Sequence, residues 1–278
     1  RLRKLLLLLV QTIFFQLLSV LAASVMSHSF SAFSLLGALI PVNYYIILYL
    51  VLMLLSPFIH HLINGLHPKA FSRLMLTLLL LFSVMSTAVD IMKEVFHMSL
   101  AGLSPIGLDG SMGGYTIVNF ILVYILGIFM QKNESRFTLS TPLLLACLTG
   151  LAALLYLWRL FLPDTAWMYS NSLVIAEAYV VVQLFSRVRF RNRLINRLAP
   201  ASLTCYLIHE VIISRLPFDA IAGLSFPLLL LVLVAVPAGI YVISFLLTLL
   251  WQTLSKHLFR GSFFSTLTLS ASGVESDE

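Results

Sequence analysis

The chain has 278 residues, of which 60% are hydrophobic and only 10% charged, and its mean hydropathy is +1.02. Soluble domains carry charge on about a quarter of their residues, so this composition cannot build a water-facing surface. The formal net charge of +6 is gathered at the ends of apolar runs, the pattern of a membrane protein rather than of a nucleic-acid binder.

Hydrocarbon offers backbone groups no partner, so each span must be a helix or a strand of a closed barrel. Runs such as Leu5–Leu9 and Leu228–Pro237 lack the alternation of barrel strands. The expected fold class is therefore all-α, a polytopic transmembrane helix bundle. Eight stretches approach the roughly 20 residues a bilayer requires: Leu5–Val25, Tyr44–Ile63, Phe71–Val89, Tyr115–Met130, Pro142–Leu162, Ser172–Phe185, Leu198–Ser214 and Phe226–Leu250. The fourth, sixth and seventh are short.

Orientation follows from the basic residues of alternate loops. One side receives Arg1, Arg3, Lys4, Lys69, Arg73, Lys132, Arg136, Arg187, Arg189, Arg191, Arg193, Arg197, Lys256 and Arg260. The other receives Lys93, Arg159 and Arg215. Fourteen against three places both termini on the cytoplasmic side. The outer loop Asp90–Gly114 is the longest connection, and the inner loop Arg187–Arg197 holds five arginines. Residues 1–255 read as one transmembrane domain, and residues 256–278 as a Ser/Thr-rich, acidic, disordered cytoplasmic tail. Cys147 and Cys205 fall inside spans, which argues against a disulfide framework. The Asn133-Glu134-Ser135 acceptor pattern lies on the inner side and carries no weight. There is no internal repeat of the kind that marks many transporters.

Polar groups inside spans are costly and point to function. His209 lies 11 residues beyond Leu198, about 16 Å along a helix and near mid-bilayer. Glu210 follows it, and Arg215 lies near the outer end. Glu177, in the antiparallel sixth span, falls at overlapping depth. A His–carboxylate pair in a dry site can fix one tautomer and serve as general base or proton relay; the plainer reading is a His bonded to a neighbouring helix. His60 and His61 point about 100° apart on a helix, a poor start for a metal site, and no metal is expected; with His67 they suit the inner interface. Tyr44 and Tyr45 fit an aromatic belt, as do Trp158, Trp167 and Tyr169, while Tyr49 lies deeper and could line a cavity. The arginine loop is explained by topology alone, or else forms an anion site for the phosphates of a lipid or cofactor. His97 and Asp109 have the ordinary polarity of a loop. Neither a phosphate-binding nor a dinucleotide-binding glycine motif is present.

The stretch from Ile195-Asn196-Arg197 through Tyr206-Leu207-Ile208-His209-Glu210 resembles the late segment of the membrane acyltransferase 3 family, where a basic inner loop leads into a helix ending in Tyr-Leu-Ile-His. Two further segments are similar in order and spacing: Tyr44-Tyr45-Ile46-Ile47-Leu48-Tyr49 running to Leu55-Ser56-Pro57-Phe58, and Asn119-Phe120 to Tyr124 and Gly127. The resemblance covers residues 1–250. It implies a membrane O-acetyltransferase that moves an acyl group from cytoplasmic acetyl-CoA to a hydroxyl of an extracytoplasmic polysaccharide or cell-wall glycan, in a bacterial plasma membrane. In that reading His209, Glu210, Glu177 and Arg215 line the transfer path. Arg191, Arg193 and Arg197 meet the CoA phosphates, and Tyr45, Tyr49, Asn119 and Tyr124 face the acceptor. Two features depart from the family. It has about ten spans, with an Arg and a His ten residues apart at its first helix, whereas Leu5–Val25 contains no His; position 44 is Tyr where many relatives have Trp. These departures imply that about two N-terminal helices are missing and that the segment alone is inactive. Competing expectations are a proton-coupled secondary transporter or flippase using Glu177 and His209, and a noncatalytic membrane scaffold.

Overall fold

The computed structural model describes residues 2–29, 31–40, 43–97, 102–107, 110–133, 139–188 and 192–258. It is helical throughout, with no strand among the described residues. In chain order the helices are α1 (Leu2–Met26), α2 (Ala32–Gly37), α3 (Tyr44–Asn64), α4 (Pro68–Phe96), α5 (Ile117–Lys132), α6 (Thr141–Phe161), α7 (Ser172–Ser186), α8 (Arg193–Leu198), α9 (Ala201–Ile213), α10 (Phe218–Ala222) and α11 (Phe226–Leu258). Each of the eight apolar stretches coincides with one of the longer helices. Within α1, α3, α4, α6 and α11 lie five helical segments long and apolar enough to cross a membrane. Helices α5, α7 and α9 are shorter, at 16, 15 and 13 residues.

The helix starts follow local chemistry. Asn43, Thr116 and Asn171 each turn a side-chain oxygen onto the first free amides of α3, α5 and α7, satisfying donors that have no intrahelical partner. His67 does the same for α4 through its ring, followed by Pro68 in the first turn, where a missing N–H costs nothing. Helix α4 differs from its sequence-based boundary. It runs past Val89 to Phe96, where His97 closes it in the left-handed conformation, and it contains a π turn at Leu80–Met85.

The distribution of side chains is inverted relative to a soluble protein. Only 11–33% of each long hydrophobic window is buried, while Thr12, Ser83, Ser86, Thr87, Asp90, Asn119, Thr204, Ser244 and Thr248 are buried. Leucines facing outward and hydroxyls facing inward are what a hydrocarbon solvent selects, since it rewards no apolar burial between helices and penalises lipid-exposed polar groups.

The chain forms two compact units, Asn43–Phe190 and the pairing of Arg1–Val42 with Arg191–Glu278. In Asn43–Phe190, α3 and α5 start at the same end, where the rings of Tyr45 and Phe120 lie 5.4 Å apart. At the other end Lys132 Nζ donates to Asn64 Oδ1 at 2.9 Å. Helix α4 returns between those ends, and α6 and α7 pack antiparallel, with Arg187 donating to Thr141 Oγ1 at 3.2 Å and to the Leu139 carbonyl. The core is Ile63, Phe71, Met75, Leu122, Ile125, Ile128 and Ile175. This unit thus has a basic end, with Lys132 and Arg187, and a loop end holding residues 110–116 and 162–171. In the other unit α9 packs on α1 and α11 around Phe15, Ile208 and Trp251, with the ring of Phe14 5.1 Å from Trp251.

Candidate functional site

His209 lies in the last turns of α9. Its Nδ1 is 2.8 Å from the Tyr206 carbonyl oxygen and 3.1 Å from that of Cys205. A carbonyl only accepts, so Nδ1 carries the hydrogen. In the neutral ring Nε2 is then the nitrogen with the free lone pair, the state required of a general base. The ring is half-buried and lies 5.9 Å from the ring of Tyr206. The helix beneath it is clamped twice. Tyr241 of α11 donates to the Leu198 carbonyl at 3.0 Å, fixing the turn that leads into α9. Thr248 Oγ1 lies 2.7 Å from both Thr204 Oγ1 and the Ser244 carbonyl. Thr248 is the donor in both contacts, its one hydrogen shared between its own helix and Thr204 of α9.

The other expected site residues spread out. Glu210 and Arg215 are exposed, Arg215 lying just beyond α9. Glu177 is half-buried in α7, in the unit that does not contain His209, so their pairing rests on the sequence alone. Arg193 and Arg197 are exposed in α8, one turn apart and on one face. Asn192 caps that helix, accepting from Leu194 N at 2.7 Å. Arg191 lies outside the described residues, as do Asp109, Glu134, Ser135 and residues 259–278 of the tail.

The residues assigned to the acceptor line α3 and α5. Tyr45 stacks near Tyr49 at 6.4 Å, the planes 11° apart. Tyr44 meets Tyr115 at 4.6 Å, and Tyr115 meets Tyr169 at 5.2 Å, which makes a band of aromatic rings at the loop end. Tyr124 hydroxyl lies 3.0 Å from His60 Nδ1, further towards the basic end. Asn119 is buried, and its amide donates to the carbonyls of Gly114 at 3.1 Å and Tyr169 at 3.4 Å.

Sequence reasoning missed a dense polar construction at this same loop end. Ser83, Thr87, Asp90 and Glu94 follow one another at spacings of four, three and four along α4, which puts them on one helix face. Ser83 and Thr87 hydroxyls contact Ser172 Oγ at 3.3 and 3.2 Å, and the Ser172 amide donates to Thr87 Oγ1 at 3.0 Å. Asp90 Oδ1 accepts from Ser111 N at 3.0 Å. Glu94 accepts from Asp164 N at 2.9 Å, Thr165 N at 3.1 Å and Thr165 Oγ1 at 2.7 Å. These bonds explain why α4 continues beyond Val89. Its two carboxylates are needed to hold the backbone of residues 111 and 164–165. The polar stripe was the available signal, obscured by ending the span at the first carboxylate.

Gly114 closes the construction. It has φ +83°, and a Cβ there would lie 2.5 Å from Ser170 N; only glycine permits both that backbone and that approach. Among the described residues no cluster of three or more His, Cys, Asp or Glu side chains has the geometry to hold a metal ion. No family model matches the chain, and neither a curated protein nor a solved structure matches it.

Proposed function

We propose that the chain is part of an integral membrane acyltransferase, an O-acetyltransferase that takes its acyl group from cytoplasmic acyl-CoA and delivers it to a hydroxyl of an extracytoplasmic glycan. All eight apolar helices cross a bacterial plasma membrane in this reading, with both termini inside. The positive-inside distribution of Lys and Arg supports that topology. The resemblance of three ordered segments to membrane acyltransferase 3 proteins supports the chemistry. The observation that carries the reading is His209, at the end of the Tyr-Leu-Ile-His segment, with its Nδ1 hydrogen directed to backbone carbonyls and Nε2 left as the basic nitrogen.

In the transfer, the acyl carbon–sulfur bond of the thioester breaks and an acyl carbon–oxygen bond to the glycan forms. The hydroxyl proton passes to His209 Nε2 and ends on the CoA sulfur. Arg193 and Arg197, on one exposed face of α8, meet CoA phosphates with Arg191. A planar guanidinium binds phosphate through two parallel hydrogen bonds. As the resemblance implies, Arg215, Glu210 and Glu177 belong to the path, and Tyr45, Tyr49 and Tyr124 to the acceptor side, where aromatic faces suit a sugar ring; Asn119, buried and bonded through its amide to two carbonyls, is left out of it.

The acetyl-ester content of surface polysaccharide tests this, in cells expressing the gene and in cells expressing His209→Ala at equal level. Esters that appear with the native gene and vanish with the variant are the expected result. Labelled acetyl that never reaches polysaccharide, together with substrate uptake driven by a pH gradient without acyl-CoA, would replace it with transport.

A further inference from the structure

Two buried acceptor oxygens at the loop end of Asn43–Phe190 have no hydrogen-bond partner among the described residues, Asp90 Oδ2 and Asn119 Oδ1. Both residues are more than nine-tenths buried, at 5% and 4% exposure. Both are tied to the segment 111–114, and Asn119 also to Tyr169. Asp90 holds Ser111 N through its other oxygen, and Asn119 holds the Gly114 and Tyr169 carbonyls through its amide. Between those segments Ser170 Oγ donates to Ser111 Oγ at 2.7 Å, and Ser111 Oγ turns its own hydrogen to the Met168 sulfur at 3.7 Å. A thioether is a weak acceptor, so the hydroxyl lone pairs are the chemically prominent groups here. The site presents acceptors almost exclusively.

The one hydrogen bond that Asp90 makes comes from a neutral amide, and an ionised carboxylate buried without counter-charge is strongly unfavourable. A hard cation resolves both features, since such ions take carboxylate, amide and hydroxyl oxygens as ligands. A single carboxylate balances a single positive charge, whereas a divalent ion would leave excess charge buried. We propose that Asp90, Asn119, Ser111 and Ser170 form a binding site for a monovalent alkali cation that fastens the loop end to α4 and α5. Gly110 fits this role. Its φ is +83°, and a Cβ there would lie 2.3 Å from Asp90 Oδ1, so the backbone approaches the carboxylate as closely as glycine allows.

The test is thermal unfolding of the purified whole protein in detergent, in sodium, potassium or choline chloride at one ionic strength. Sodium or potassium at saturation raises the midpoint over choline by about 2–4 °C. Asp90→Asn, nearly identical in shape, abolishes that difference, and Asn119→Ala shifts the half-maximal concentration upward by roughly tenfold. Equal midpoints in the three salts overturn the proposal, as does a cation response that survives undiminished in Asp90→Asn. A response to calcium alone overturns the monovalent assignment. Asp90→Asn that is as stable as the native protein in choline, with the native protein indifferent to salt, identifies Asp90 as a neutral acid and also overturns it. If neither variant accumulates, the native salt comparison decides by itself.

Discussion

The helix carrying His209 and the loop end of Asn43–Phe190 both bury polar groups, but they satisfy them over different distances in the chain. Around α9 most of the bonds are local: Thr12 to the Leu8 carbonyl, His209 to Cys205 and Tyr206, Ser244 to Ile240, Thr248 to Ser244. At the loop end they are distant: Ser83 to Ser170, Asp90 to Ser111, Glu94 to Thr165, Asn119 to Tyr169. A helix that returns its polar hydrogens to its own carbonyls can be changed without unfolding its surroundings, and its ring nitrogen stays available for chemistry. A carboxylate that holds the backbone of a remote loop has no such freedom. The first arrangement suits a reactive group, and the second suits the frame that shapes an opening.

Substitutions at four positions press on that contrast. The largest effect is on activity: His209→Ala is expected to lower acetyl-ester formation by about 10²–10⁴-fold, the usual range for a general base, with an unchanged thermal midpoint in detergent. A midpoint that fell with the activity would place His209 in the frame instead. Gly114→Ala forces a Cβ against Ser170 N at a positive φ, and about 2–4 kcal/mol of stability is lost, seen as faster hydrogen exchange across residues 110–119 and 162–171. Glu94→Ala removes three bonds to a charged acceptor and costs about 2 kcal/mol. Glu94→Gln recovers part of this, because its carbonyl can still accept. Thr248→Val, which deletes one interhelical hydroxyl bond, costs about 0.6 kcal/mol, the average for such bonds between membrane helices. A loss as large as that of Glu94→Ala would erase the distinction between the two regions.

The eight helices were legible because hydrophobic runs of near-bilayer length need no partner to declare themselves. Their caps at Asn43, Thr116 and Asn171 went unread, although each acts within three residues of itself. Of the site, His209 stood out, with Glu210 beside it, as an ionisable group inside an apolar run. Asp90 and Glu94 did not, because a carboxylate read from the amino end of an outer loop looks like the end of a span. What makes them helical lies about 20 and 70 residues away, at Ser111 and at Asp164–Thr165.

The sequence by itself therefore determined the solvent this chain is built for, the number and order of its apolar helices, and the candidacy of His209. Those properties depend on composition and on contacts within a few residues. Only the tertiary structure decided that α4 extends to Phe96, and that Asp90 and Asn119 each keep an unpaired oxygen in the interior. A hydrogen bond is fixed to within tenths of an ångström, and residues far apart in the chain reach that precision only when packed helices bring them together.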